Sequence, residues 1–261
     1  MYLIFTDVLS TDLTSPAHRW LPSLLPSLLL GGLLTLVFAA LARWLRGVTN
    51  SGAVAGAVCC FVLYVGAGPT AVVGLIAVFA LAWITTRLGY HRKQKLGVAE
   101  RREGRNAFQV LANLGVATAC AAVLVLAQGI SGNGTIIWLV ALSAALSEAA
   151  ADTVSSEVGQ ALGEKPRLIT SWKTVPAGTN GAVSLMGTLA GVAAAGIVSS
   201  VCFLGGLVPM HGLLVSVGSA LFGMVVDSFL GAVLERRGLL NNDSVNFLST
   251  LVSAVASFWL T

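Results

Sequence analysis

Charged side chains are scarce in this chain, at 10% of 261 residues, while apolar ones make up 56%. Soluble domains carry about 25% charged residues, so that class is excluded. Familiar catalytic signatures are missing too. The chain has no G-x-x-x-x-G-K-[ST], no glycine-rich dinucleotide fingerprint, no H-E-x-x-H and no G-x-S-x-G. P-loop, Rossmann, zincin and α/β-hydrolase chemistries are therefore not expected. Cysteine is sparse: Cys59, Cys60, Cys120 and Cys202 lie in apolar runs without C-x-x-C spacing or a histidine partner, and read as small core residues. The lone His91 and His211 read as interfacial rather than as ligands. Residues 1–22 are polar, with Pro16 and Pro22, and lack the basic and compact apolar regions of a cleaved signal. The first apolar run is expected to be a permanent helix.

Long apolar runs fill the rest, at a mean hydropathy of +0.87. About 20 apolar residues span a bilayer, and a helix satisfies its own backbone polar groups there. The fold class expected is an all-α polytopic membrane bundle of about eight spans (7–9), near 23–42, 53–67, 70–87, 107–127, 135–151, 181–205, 211–234 and 245–261. A polar segment over 1–22 is expected to precede a single integral membrane domain over 23–261, expected to be catalytic, with loops 87–106 and 152–180 expected on the cytoplasmic side.

Lys and Arg alternate between loops. Arg43 and Arg46 follow the first span, Arg87 to Arg105 the third, Lys165, Arg167 and Lys173 the fifth, and Arg236 and Arg237 the seventh. The loops 66–69, 128–134 and 205–210 contain neither residue, and only Arg19 dissents. The basic side is expected to be cytoplasmic or stromal, with both termini opposite. The net charge of +4 sits beside spans, where anionic headgroups attract it, so lipid rather than nucleic acid is the expected partner.

A charge inside a span costs roughly 2.5–3.5 kcal/mol on insertion scales, so Glu148, Asp152 and Asp227 need a reason. Helical spacing puts Glu148, Asp152, Ser155, Ser156 and Gly159 on one face. Glu157 points elsewhere if the helix continues; either the helix breaks near Ser155–Ser156 or Glu157 has another partner. Arg105, Gln109 and Asn113 form a second stripe with Asn106 beside it. Gly223, Asp227, Gly231 and Glu235 form a third, and Asn246, Ser249 and Ser253 a fourth. All lie at one end of their spans, as a shared polar cavity requires. The pairs Gly52/Gly56 and Gly187/Gly191 are expected to permit close helix packing.

The chemistry of that end follows from its residue types. Asp152 and Asp227, supported by Glu148 or Glu157, are the expected carboxylates for Mg²⁺. Lys173 is a point charge suited to a phosphate. The turn Gly178, Thr179, Asn180, Gly181 is expected to open the sixth span, with Thr179 or Asn180 as cap and free N–H groups facing an anion.

Five blocks carry a resemblance: Asn50–Gly56, Arg105–Asn113, Ala151–Gly159, Lys173–Ser184, and Asp227–Ala232 with Asn242 and Asn246. The chain resembles the transmembrane protein 19 family (domain of unknown function 92), which includes phytyl-phosphate kinases, from about residue 43 onward. Its Asp-x-x-Ser and Lys-x-x-x-x-Gly elements are also similar to those of dolichol kinases and CDP-lipid synthases. It departs from the expected pattern at Glu235, where Gln is anticipated. The resemblance implies phosphoryl transfer from CTP, with Mg²⁺, to an isoprenyl monophosphate such as phytyl or geranylgeranyl monophosphate. Asp152, Glu157 and Asp227 would hold the metal, and Asp152, Lys173 and Asp227 the catalytic roles. Lys173 and Gly178–Gly181 would hold the nucleotide phosphates; Arg105, Asn106 and Gln109 would hold the acceptor. Asn113, Ser156, Ser184 and Asn246 complete the expected binding set. Two alternatives stand beside this reading: a CTP-dependent cytidylyltransferase making a CDP-lipid, and a non-enzymatic membrane transporter.

Overall fold

A computed structural model describes residues 24–127 and 133–261. The polar segment expected over 1–22 and most of the loop expected over 128–134 lie outside the described residues. The elements are α1 (Leu24–Trp44), α2 (Asn50–Arg87), the short α3 (Tyr90–Lys95), α4 (Ala107–Leu126) and α5 (Asn133–Leu162). Two-residue strands follow, β1 (Arg167–Leu168) antiparallel to β2 (Ala182–Val183). The chain continues with α6 (Leu185–Leu204), α7 (Met210–Val233), a 3₁₀ turn at Glu235–Arg237 and α8 (Asn242–Leu260).

Among the described residues, six helices, α2 one of them, are long and apolar enough to cross a membrane. At 38 residues α2 is far longer than the roughly 20 needed for one crossing. It breaks at Gly68, whose φ of 79° and ψ of −175° glycine alone adopts freely, and Pro69 follows without an N–H to continue the ladder. The two arms fold back on each other. Trp83 Nε1, near the end of the second arm, donates to the Leu45 carbonyl just before the first, at 3.1 Å. The break falls in the loop that separates the expected spans 53–67 and 70–87. With α8, whose serines and threonines lower its hydropathy, eight segments make the bundle.

α5 is the centre: 72% of its apolar window is buried by protein, against 17% for α1. Its alanines, Ala141, Ala144, Ala145, Ala149, Ala150 and Ala151, let neighbours close in on every side. Gly187 and Gly191 of α6 rest against the Ser155 and Ala151 carbonyls, too close for any side chain. That pair packs as its spacing predicts.

The basic loops gather at one end of the bundle. Arg87 donates to the Leu45 carbonyl at 2.6 Å, and Arg92 reaches the Ala161 and Gly163 carbonyls at the end of α5, both at 3.0 Å. At the other end, Thr70 donates to the Gly205 carbonyl at 2.8 Å.

Two boundaries differ from expectation. α5 continues eleven residues past 151 to Leu162, so Asp152 to Leu162 is helix rather than the start of a 152–180 loop. α6 begins at Leu185 rather than 181, and Ser184, not Thr179 or Asn180, caps it by accepting from the Gly187 N–H at 3.1 Å. Residues 178–181 belong to a loop tied down by β1 and β2, with the Ile169 N–H donating to the Gly181 carbonyl at 3.1 Å.

Candidate active site

At the basic end, the polar stripes of α4, α5, α7 and α8 enclose a polar cavity of about 330 Å³. α5 contributes Asp152, Ser155 and Ser156, α7 contributes Asp227, and Asn246 comes from α8. Arg105, Gln109 and Asn113 line the α4 side, and the 178–181 turn with Ser184 covers the rest.

The acids sit on the α5–α7 contact. Asp152 on α5 and Asp227 on α7 both line the cavity, and Arg105 faces the same space. Asp227 Oδ2 is buried with no hydrogen-bond partner among the described residues. One turn deeper on α5, Glu148 is fully buried; Thr250 Oγ1 lies 2.7 Å from its Oε2, and its Oε1 has no partner. Buried carboxylate oxygens are costly to leave unmatched, and of these two acids only Asp227 lines the cavity, where a ligand could match it. Among the described residues no three His, Cys, Asp or Glu side chains form a metal cluster. The expected trio of Asp152, Glu157 and Asp227 reduces to an aspartate pair.

Glu157 lines the cavity as well, but its carboxylate already has partners in the protein. The helix continues past Ser155–Ser156, and Glu157 is turned toward α2 and α3. Its Oε1 accepts from Thr86 Oγ1 at 2.9 Å, and its Oε2 pairs with the Lys93 ammonium. Lys93 is fully buried and donates as well to the Thr85 and Thr86 carbonyls, at 3.0 and 2.7 Å. A helix-terminal carbonyl cluster with an acid beside it is what a buried ammonium requires.

Asn106 belongs to a cap rather than to the cavity. Its side chain accepts from the Gln109 N–H at 3.1 Å, and Gln109 Oε1 accepts from the Asn106 N–H at 2.9 Å. This capping box is legible in the Asn-x-x-Gln spacing. Gln109 still reaches the cavity wall, where its Nε2 donates to Glu100 at 3.1 Å. Glu100 also lies 3.9 Å from Arg105 Nε. Sequence reasoning misses Lys93 and Glu100, because both sit inside a run that reads as a topology signal, and it also misses Gln160 and Ser228 of the cavity lining.

Lys173 is not gathered with the others. It is exposed on the outside of the turn joining β1 to the rest of the loop, its carbonyl accepting from the Leu168 N–H at 3.0 Å, and it does not line the cavity. The glycine turn does line it. Thr179 closes the turn by donating its hydroxyl to the Pro176 carbonyl at 2.7 Å. Among the described residues, the N–H groups of Gly178, Asn180 and Gly181 donate to no backbone carbonyl. Gly181 has φ 74° and abuts the Ala232 backbone on α7, so a side chain there has neither the conformation nor the space. Ser156 donates to the Thr153 carbonyl at 3.0 Å, and Asn113 to the Gln109 carbonyl at 2.8 Å.

A second, apolar cavity adjoins this one and shares Glu100, Arg105, Gln109 and Asn113 as a common wall. Arg105 is anchored there by its backbone: its N–H donates to the Gly47 carbonyl at 3.0 Å and its carbonyl accepts from the Thr49 N–H at 2.9 Å.

The family described as integral membrane protein DUF92 matches residues 33–254. This chain belongs to that family. An uncharacterized membrane protein of Methanocaldococcus jannaschii is 32% identical over 227 residues, covering 85% of this chain and 90% of that protein. An uncharacterized membrane protein of Synechocystis is 35% identical over 183 residues, 69% of each chain. The chloroplastic protein VTE6 of Arabidopsis thaliana is 33% identical over 186 residues, covering 69% of this chain and 55% of that protein. No solved structure matches. The family assignment covers every cavity-lining element except the N-terminal part of α1 and the last residues of α8.

Proposed function

We propose that this protein is a membrane-embedded kinase that transfers the γ-phosphoryl group of CTP to an isoprenyl monophosphate. The observation that carries the reading is that Asp152 and Asp227, with a buried unmatched oxygen, share one polar cavity with a glycine turn whose N–H groups donate to no backbone carbonyl among the described residues. The family resemblance supplies CTP and the prenyl acceptor; the geometry supports phosphate chemistry at this cavity.

The aspartate pair fits Mg²⁺, which takes one or two carboxylates and fills its other positions with phosphate oxygens and water. Held by Asp152 and Asp227, the ion would supply neutralisation of phosphate charge. The N–H groups of Gly178, Asn180 and Gly181 bind the nucleotide phosphates. Arg105 binds the acceptor phosphate at the wall between the two cavities, and its contact with Glu100 holds the guanidinium there. The acceptor is already an anionic phosphate, so no proton has to be removed. One of its oxygens forms a bond to the γ-phosphorus, the bond from that phosphorus to the β,γ-bridging oxygen breaks, and CDP leaves with the electron pair. Positioning and charge neutralisation are what such a step asks of a protein. The basic end is proposed to face the cytoplasm or stroma, where nucleotide is found.

Purified protein with Mg²⁺, CTP and phytyl monophosphate tests this by analysis of both products. CDP with phytyl diphosphate is expected. Pyrophosphate with a CMP-bearing lipid would replace the kinase by a cytidylyltransferase, and no turnover with any nucleoside triphosphate would remove the enzyme reading in favour of a transporter.

A further inference from the structure

The apolar cavity has a volume of about 470 Å³, in the range of small-molecule sites. It lies between α1, both arms of α2 and α4. Along the second arm of α2 its wall runs from Thr86 to Leu75, about 16 Å at 1.5 Å per residue. Deep in the bundle, Leu75, Leu114 and Ala149 close it, each almost without solvent exposure. Its polar end is the wall carrying Arg105, which it shares with the polar cavity. A ligand whose anionic head sits at Arg105 therefore has a continuous apolar space for its tail.

Gly52 and Gly56 both line this space from the first arm of α2, one helical turn apart. As a small-xxx-small pair they promise the same thing, yet their surroundings differ. A Cβ on Gly52 would strike the Arg105 carbonyl, so Gly52 serves helix packing. Among the described residues, a Cβ on Gly56 meets no atom within 4 Å. No neighbour among the described residues requires a glycine at position 56, and a glycine inside a helix is less favourable than alanine. What its missing side chain does is leave volume in the cavity.

We propose that the apolar cavity seats the hydrocarbon tail of the acceptor lipid phosphate, and that Gly56 sets how long a tail is accepted. The proposal rests on the reading of Arg105 as the acceptor-phosphate ligand. Gly56→Leu fills the space without touching Arg105 or the polar cavity. Gly196→Leu serves as control, since Gly196 on α6 also has open space around it but lies outside both cavities.

The test measures equilibrium binding of geranyl and geranylgeranyl monophosphates without nucleotide, and then turnover with each. The short ligand should bind Gly56→Leu as it binds the unaltered protein. The long ligand should weaken by about tenfold or more, the scale on which apolar pockets discriminate chain size. Gly56→Val should fall between, which keeps the test informative should the leucine variant misfold, and Gly196→Leu should change neither ligand. An equal loss for both ligands, no loss for either, or no binding of either by the unaltered protein would overturn the tail site. Length-dependent binding without phosphate transfer would uphold the tail site and remove the kinase reading instead.

Discussion

On one face of α5, Glu157 is closed off by Thr86 and Lys93, and both of its oxygens are spoken for. On another face of the same helix, Asp152 shares the cavity with Asp227, whose Oδ2 has no hydrogen-bond partner among the described residues, and with Arg105. Both are acids in a greasy bundle and both are expensive. The first is matched by the protein itself and fastens α3 to α5; the second is matched only if something arrives. Charge inside a membrane protein thus has two uses, and the partner inventory separates them where sequence position does not.

The comparison breaks most visibly at the aspartate pair. Asp152→Asn and Asp227→Asn should each lower turnover by about 100- to 1000-fold, the effect of losing one group that stabilises transition-state charge. Their thermal unfolding midpoints in detergent should not fall. Retained activity in either variant would end the assignment.

The ion pair should respond in the opposite way. Glu157→Gln or Lys93→Met alone leaves a buried charge unpaired and should cost about 3–5 kcal/mol of stability. Combining Lys93→Met with Glu157→Gln should recover most of that loss, because replacing a whole buried pair is close to neutral. A double variant as unstable as the singles would mean that the pair does more than hold α3 in place.

Smaller effects sharpen the contrast. Arg105→Ala should raise the apparent KM for the lipid phosphate about tenfold, the loss expected from one charge-assisted contact, with little change in the KM for nucleotide. Equal changes in both would place Arg105 on the nucleotide instead. Lys173→Ala should leave turnover within about twofold, as surface substitutions generally leave the structure unchanged. A large loss there would mean that the β1–β2 loop closes over the cavity during the reaction.

Much of this was legible beforehand, for physical reasons. Lipid demands apolar runs of nearly fixed length, so the spans and the Gly68–Pro69 break stand out. Helical periodicity put Asp152, Asp227, Arg105 and Asn246 on stripes that do converge on one cavity. The end of α5 was not legible: polar residues past 151 resemble a loop, but the helix goes on because α6 and α3 pack against it. The cap of α6 lay among several residues able to cap, and only the strand pairing selects Ser184. Lys93 was hidden among seven basic residues of one loop, and its burial depends on a carbonyl cluster that local sequence does not announce. Asn106 and Lys173 belong to the family blocks, yet one closes a capping box and the other faces outward, so block membership alone did not separate ligands from scaffold.

The most direct test of the contrast between the two acidic faces is CTP affinity measured with and without Mg²⁺. The account predicts that Mg²⁺ tightens binding in the unaltered protein and in the Lys93→Met/Glu157→Gln double variant, and that Asp227→Asn abolishes this effect. Mg²⁺-dependent affinity that survives Asp227→Asn and disappears in the double variant would contradict it.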